Sequence, residues 1–151
     1  MSQKRSKLRF FEKERAKKMK FSSKSRYALR VMVDLAEHEG EIQSIKAISE
    51  RQTISEKYLE QIAALLSKAG LIESFRGAQG GYTLKKPKAQ ISVGEIMRAA
   101  EGDFYVIDCL DPNMPCNIVD KCKTHSYWNK LNTLVTDYLN TVSLEDILKE
   151  Q

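Results

Sequence analysis

Residues 44–84 read SIKAISERQTISEKYLEQIAALLSKAGLIESFRGAQGGYTL, and the change of hydrophobic period along this stretch decides the fold. Ser44 is placed to cap a short helix in which Ile45, Ala47 and Ile48 face a core, ending near Gln52. Thr53-Ile54 makes a tight turn. Ser55 then caps a second helix whose apolar stripe is Tyr58/Leu59, Ile62, Leu65/Leu66 and Ala69, and Gly70 stops it. Beyond Gly70 the pattern becomes that of two short strands, 71–76 and 82–84. Gly77, Gly80 and Gly81 lie between them, where a hairpin needs positive φ. Upstream, Tyr27, Ala28, Val31, Met32, Leu35 and Ala36 recur at helical spacing between Ser23 and Glu39, with Gly40 as a stop. Three helices followed by a hairpin is the order of a winged helix-turn-helix, against which the bland reading is a helical hairpin in an ordinary α-rich core.

Two features favour DNA reading over the bland alternative. The second helix of the pair is polar at its start outside the stripe (Ser55, Glu56, Lys57, Glu60, Gln61), and this end of such a helix enters a major groove. The hairpin tip also offers Arg76 and glycine amides to a phosphate backbone. Gln61 suits an adenine edge, and Ser55 and Lys57 suit a base or a phosphate. Tyr58 divides between core packing and a phosphate contact through its hydroxyl. Glu60 is repelled by phosphate yet accepts from cytosine N4, so it discriminates between sites at a cost in affinity.

Downstream of Pro87, Ser92 and Glu95 form a capping box for a fourth helix through Ala100, ended by Gly102. Residues 103–124 hold turn-forming Gly, Asn, Asp and Pro with little periodicity. A long helix from about Thr124 to Asn140 carries Trp128, Leu131, Leu134/Val135 and Tyr138/Leu139, and has an apolar face with no obvious local partner sheet, so it is expected to pack on another subunit. Ser143 caps a last short helix with Leu144, Ile147 and Leu148. The expected fold is thus mostly α with a small β-hairpin wing: a winged helix-turn-helix DNA-binding domain plus a long dimerisation helix. Its parts are a basic N-terminal extension (1–20, disordered or appended for expression, with Met19 as an alternative start), the winged domain (21–88), a connecting helix (89–102), a cysteine-rich loop (103–124), and the dimerisation and C-terminal helices (125–151).

The loop carries the chemistry. Cys109, Cys116, Cys122 and His125 follow C-x6-C-x5-C-x2-H, and these are the only three cysteines of the chain and one of its two histidines. Thiolates with an imidazole are soft ligands for iron–sulfur clusters, zinc or copper(I). Three Cys and one His meet the tetrahedral preference of zinc, but closely paired C-x2-4-C knuckles are absent, which leaves iron–sulfur modestly ahead on spacing. Three buried but inert thiols are the bland alternative. His38, at the end of the first helix, reads as an ordinary surface or core histidine.

Charge is unevenly spread. The formal net charge is +5, yet residues 1–20 alone hold nine Lys/Arg against two Glu. Residues 21–92 have 11 basic to 8 acidic groups and residues 93–151 have 5 to 10, a mildly basic unit followed by an acidic one. Bulk basicity therefore says nothing of DNA binding. No apolar run is long enough for a membrane span and no secretory leader is legible, so a reducing cytoplasm is expected, where an odd thiol count favours metal binding or redox sensing. Enzymatic function is not expected. No phosphate loop opens a helix, no nucleophile elbow exists, and the GAQGG run sits in a hairpin.

From about Met19 onward the chain resembles the iron–sulfur-cluster-sensing winged helix-turn-helix regulators of the IscR/NsrR/RirA family, and is closest to the IscR branch. The resemblance rests on SSKSRYALRVMVDLA, ISEKYLEQIAALLSKAGLIES, RGAQGGYTL, ISVGEIMRAAEG, DKCKTHSYW and LNTVSLEDIL. It implies a cytoplasmic homodimer on double-stranded, pseudo-palindromic operator DNA, with the helix 125–140 crossing to the partner and no small-molecule substrate. It implies a [2Fe–2S] cluster on Cys109, Cys116, Cys122 and His125, with [4Fe–4S] as the alternative. The first cysteine gap is one residue longer than in the IscR branch. Where the NsrR branch has an acidic ligand in the first helix, Ser25-Arg26-Tyr27 here has none, which favours His125. The family's DNA contacts carry over to Ser55, Lys57, Tyr58, Glu60, Gln61 and Arg76. Glu56 and Lys57 make this helix tip more charged than in the IscR branch. The expectation is a regulator, usually a repressor, controlled by its cluster. The alternatives are a regulator of the same fold answering to cysteine metabolism or zinc, or a small metal- or cluster-carrying scaffold that does not bind DNA.

Overall fold

The computed structural model describes residues 21–150; the basic extension expected at 1–20 lies outside the described residues. Helix α1 (Ser23–Glu37) is followed by α2 (Ile45–Gln52) and α3 (Glu56–Lys68), then by strands β1 (Ile72–Phe75) and β2 (Gly81–Leu84). Helix α4 (Val93–Glu101) leads into the loop, and α5 (His125–Thr141) and α6 (Leu144–Lys149) close the chain. None of the described helices is long and apolar enough to cross a membrane.

Local chemistry starts these helices where the serines predict. Ser44, Ser55, Ser92 and Ser143 each accept an amide hydrogen bond from the residue three positions on, and Ser92–Glu95 and Ser143–Asp146 complete reciprocal capping boxes. Ser22 does the same for α1. Helix α3 ends at Ala69, after which Gly70 adopts φ +73. The turn before α3 differs from the usual economy of such turns: Thr53 itself takes the left-handed conformation, at φ 54 and ψ 46. Ser49 secures it by donating its hydroxyl to the Ile54 carbonyl at 2.6 Å, and the Ile54 side chain is buried.

The core forms where α1 meets α2, α3 and α4. Met32, Leu35, Ile48, Ile62, Leu66, Ile91, Ile96 and Leu144 are fully enclosed, each contributing roughly 1.5–3 kcal/mol of transfer free energy. The stripe of α3 is shifted from the expectation at its far end. Ala63 is buried and Ala69 is exposed, because the helix turns away from the core in its last turn. Leu144 belongs to this core because the chain returns to it. Val93 donates to Val142 O at 2.9 Å, Leu144 donates to Ile91 O at 3.0 Å, and Ser92 bridges Ser143.

The wing is an antiparallel pair with Ile72 opposite Leu84 and Phe75 opposite Gly81. Its outer strand gains a one-residue third member, since Gln43 and Tyr82 exchange two backbone hydrogen bonds of 2.9 Å. Glycine is required there. A Cβ on Gly80 meets Phe75 O at 2.2 Å, and one on Gly81 meets Gln43 O at 2.1 Å.

Behind the reading elements sits a buried carboxylate that the sequence patterns do not announce. Asp34 of α1 is 0% exposed and accepts from Arg51 Nε at 2.9 Å, Arg51 Nη2 at 2.6 Å and Gln52 Nε2 at 2.9 Å. Burial pushes its carboxyl up, but the Arg51 and Gln52 hydrogen bonds and the Arg51 charge outweigh this and hold it below its ordinary 3.8. His38 donates from Nδ1 to the Asp34 carbonyl at 2.8 Å, as an ordinary half-buried histidine of the helix end.

Candidate nucleic-acid interface and cysteine loop

Helix α3 turns a polar face outward at its start. Glu56, Lys57, Glu60 and Gln61 are all exposed, and Lys57, Glu60 and Gln61 share one face by their spacing of three and four. Ser55 is exposed too, although its hydroxyl accepts from the Tyr58 amide at 3.3 Å. Tyr58 is half-buried and packs edge-on against Tyr27 of α1, with centroids 5.6 Å apart and planes at 83°. The Arg26 and Arg30 guanidinium groups lie 6.0 and 5.4 Å from the same Tyr27 ring. Arg30 also donates to the side chain and carbonyl of Gln52, closing the end of α2 just before the turn. Arg76 leaves β1 at the hairpin turn and is exposed, next to Phe75, which is also exposed. The structure thus brings Lys57, Glu60, Gln61 and Ser55 to one helix end and carries Arg76 on a separate projection.

The cysteine loop is built from local turns. Two single 3-10 turns, Asp108–Leu110 and Val119–Lys121, and an Asp111 carboxylate accepting from the Asn113 amide at 2.8 Å give it shape. It is tied to α5 where Val106 donates its amide to Asn132 Oδ1 at 2.8 Å, a link that spacing did not suggest. Cys109, Cys116 and Cys122 are free, half-buried thiols. His125, the first residue of α5, donates its amide to Cys122 O at 3.3 Å and its ring is half-buried. The Cys122 thiol is drawn below its ordinary 9.0 by hydrogen bonds from the Thr124 hydroxyl and amide, with a further one from the His125 amide.

The four residues fit a soft metal or cluster in kind: three thiols and an imidazole on one short segment, none engaged in a disulfide. Among the described residues, however, no three His, Cys, Asp or Glu side chains converge as a ligand set.

Helix α5 has two contrasting sides. Asn140 accepts from Arg98 of α4 at 2.8 Å, and Asn132 holds the loop. One side of α5 thus leans on a helix, α4. Tyr127, Leu134 and Tyr138, spaced seven and four apart, form a stripe on the other side and are 61%, 68% and 66% exposed.

Comparison with known proteins agrees with this architecture. The profile of the Rrf2 family, described as an iron-dependent transcriptional regulator, matches residues 21–150. The HTH-type transcriptional regulator IscR of Xenorhabdus nematophila is 39% identical over 135 residues, 88% of this chain and 81% of that one. The solved structure of T. potens IscR superposes with a TM-score of 0.68 at 41% identity, covering 87% of each chain. CymR, the global cysteine regulator of B. subtilis, superposes with a TM-score of 0.74 at 32% identity, covering 89% of this chain and 99% of that one.

Proposed function

The chain belongs to the Rrf2 family of iron-dependent transcriptional regulators, and from that premise we propose that it is a homodimeric repressor whose operator binding is controlled by an iron–sulfur cluster on its cysteine loop. The observation that carries this reading is the placement of two incomplete parts beside one complete one. A reading head with its own core is joined to a loop of free thiols and to a helix with an uncovered apolar stripe. As an Rrf2-family helix-turn-helix regulator it is not an enzyme.

In this reading Gln61 and Glu60 read base edges, Ser55, Lys57 and Tyr58 hold phosphate or base, and Arg76 grips the backbone beside the wing. Glu60 accepts from a cytosine amino group and penalises sites that lack one. Two copies joined through Tyr127, Leu134 and Tyr138 bring two α3 helices to half-sites about 34 Å apart, one helical turn of DNA. Cys109, Cys116, Cys122 and His125 are the residues that hold the cluster, [2Fe–2S] by the likeness to IscR, with [4Fe–4S] as the alternative. When bound, the cluster supplies a cross-brace, sensitive to iron supply and oxidation, over a segment in which only Val106 is buried. His125 opens α5, so a ligand at that position ties the loop to the helix that pairs the subunits.

The test is anaerobic reconstitution with iron and sulfide, followed by absorption spectroscopy and binding to a promoter-derived DNA library. Visible absorption bands in the wild type that vanish in Cys122→Ala, with altered operator affinity on loading, are the expected result. Featureless spectra with tight one-to-one zinc binding overturn the cluster. DNA binding that is absent or indifferent to salt overturns the regulator reading at this interface.

A further inference from the structure

One buried carboxylate holds both parts of the reading head, by two separate branches. The first branch runs from Asp34 to Gln52 Nε2, and Gln52 in turn takes the Arg30 guanidinium on its carbonyl and side chain, at the turn that launches α3. The second runs from Asp34 to Arg51, whose Nη2 also donates to Gln43 Oε1 at 2.8 Å. Gln43 is buried, and its backbone pairs with Tyr82 of β2 in both directions. The carbonyl of Gln43 lies so near Gly81 that no side chain fits between them.

The wing needs such a tether. A two-stranded hairpin is marginal by itself, and of β1 only Ile72 is buried, leaving Glu73, Ser74 and Phe75 exposed. The direction in which Arg76 projects is therefore set by the Leu71–Lys85 hydrogen bond at the hairpin's base, by Tyr82 and Leu84 packing on the core, and by the Gln43–Tyr82 pairing along β2, one residue pair from the tip. Gln43 lies in the connection between α1 and α2, outside any described helix, so its own place depends on what its side chain holds. That holder is Arg51, fixed by two bonds to Asp34.

We propose that Gln43, clasped by Arg51, is a positioning residue that aims the wing, so that the Arg76 contact with the DNA backbone depends on the Gln43 side chain. This rests on the DNA-binding reading above. Gln43 touches no DNA. It acts by keeping β2 in register with the frame that also carries α3, and the Gln52 branch is left intact when it is altered.

The test is a double-mutant cycle between positions 43 and 76, read by fluorescence anisotropy on a mixed-sequence DNA duplex over a range of salt. Gln43→Ala leaves the Asp34–Arg51 pair whole, and Gln43→Met fills the same space without an acceptor, which keeps the test valid if the smaller side chain loosens the fold. Each is expected to weaken binding about fivefold, the effect of one lost hydrogen bond. In an Arg76→Ala background neither is expected to change affinity by more than about twofold. Gln43→Glu, which restores an acceptor for Arg51, is expected to recover wild-type binding. Effects that multiply in full with Arg76→Ala, or variants that bind as the wild type does, overturn the proposal. A wild-type protein that fails to bind the duplex at low salt sinks the DNA-binding reading instead, and the two failures are told apart by that control.

Discussion

Between Ser23 and Glu101 every helix contributes at least one buried side chain, whereas no residue from Ile107 to Ser143 is buried. The first region satisfies itself. Its caps are local, its apolar stripes meet one another, and its one buried carboxylate is fully partnered. The second region has a 17-residue helix with an apolar stripe facing outward and a loop whose three thiols are free of disulfides, Cys122 meeting only the neighbouring turn. The lesson is that the same physical rules identify what each region lacks. A helix draws most of its stability from packing of its apolar face, and α5 leaves Tyr127, Leu134 and Tyr138 of that face exposed, which is the ground of the dimer proposal.

The largest effect that tests this contrast is in the core. Leu66→Ala removes a side chain that is fully enclosed and is expected to cost about 2–5 kcal/mol by denaturant unfolding. Leu134, on the outer stripe of α5, is expected to behave differently. Leu134→Asp leaves the reading head folded but abolishes the dimer in sedimentation equilibrium, and makes the thermal midpoint independent of protein concentration. A Leu134 variant that unfolds the whole chain as Leu66→Ala does would break the contrast, because α5 would then be part of the same core.

A smaller but still large effect is expected from the buried ion pair. Arg51→Met strands the Asp34 carboxylate and is expected to cost about 3 kcal/mol at neutral pH. The pH dependence follows from the sign of the shift. Asp34 has a lowered value in the folded state, so its stabilisation is complete above the ordinary 3.8 and is lost as pH falls through the folded value. Arg51, Gln52 and His38 are the groups that face it. The acid limb of the stability curve is therefore expected to flatten in Arg51→Met. An acid limb unchanged from the wild type would show that Asp34 is not the group responsible.

The smallest of these effects sharpens the boundary between the regions. Ser143→Ala removes the capping box at the point where the chain re-enters the core, and is expected to cost about 1 kcal/mol. Hydrogen exchange should show the loss confined to α6, with α5 unaltered.

How much was legible follows from the range of each interaction. The serine caps and the glycine stops act within three or four residues, and each stands where the sequence places it. The residues assigned to the interface are where they were expected: Lys57, Glu60 and Gln61 exposed on one helix face, Ser55 at the cap, Arg76 on the wing. Tyr58, left between two roles, proves to be half-buried against Tyr27. The Asp34–Arg51 pair spans 17 positions and Asn132–Val106 spans 26, and no periodicity links such residues. An aspartate in an apolar stripe is a signal, but its partner is not.

By itself the sequence determined the elements, their order, the donor set of the loop and the polar tip of α3, because these depend on side-chain chemistry and short-range spacing. Only the tertiary structure decided how the wing is held. That decision required Asp34, Arg51, Gln43 and Tyr82 to be linked from four segments of the chain, through the carboxylate of Asp34, which is fully buried, and the side chain of Gln43, which is buried too. The same limit applies to the three thiols and His125. Their spacing states which atoms are available as ligands, and among the described residues no three such side chains gather as one set.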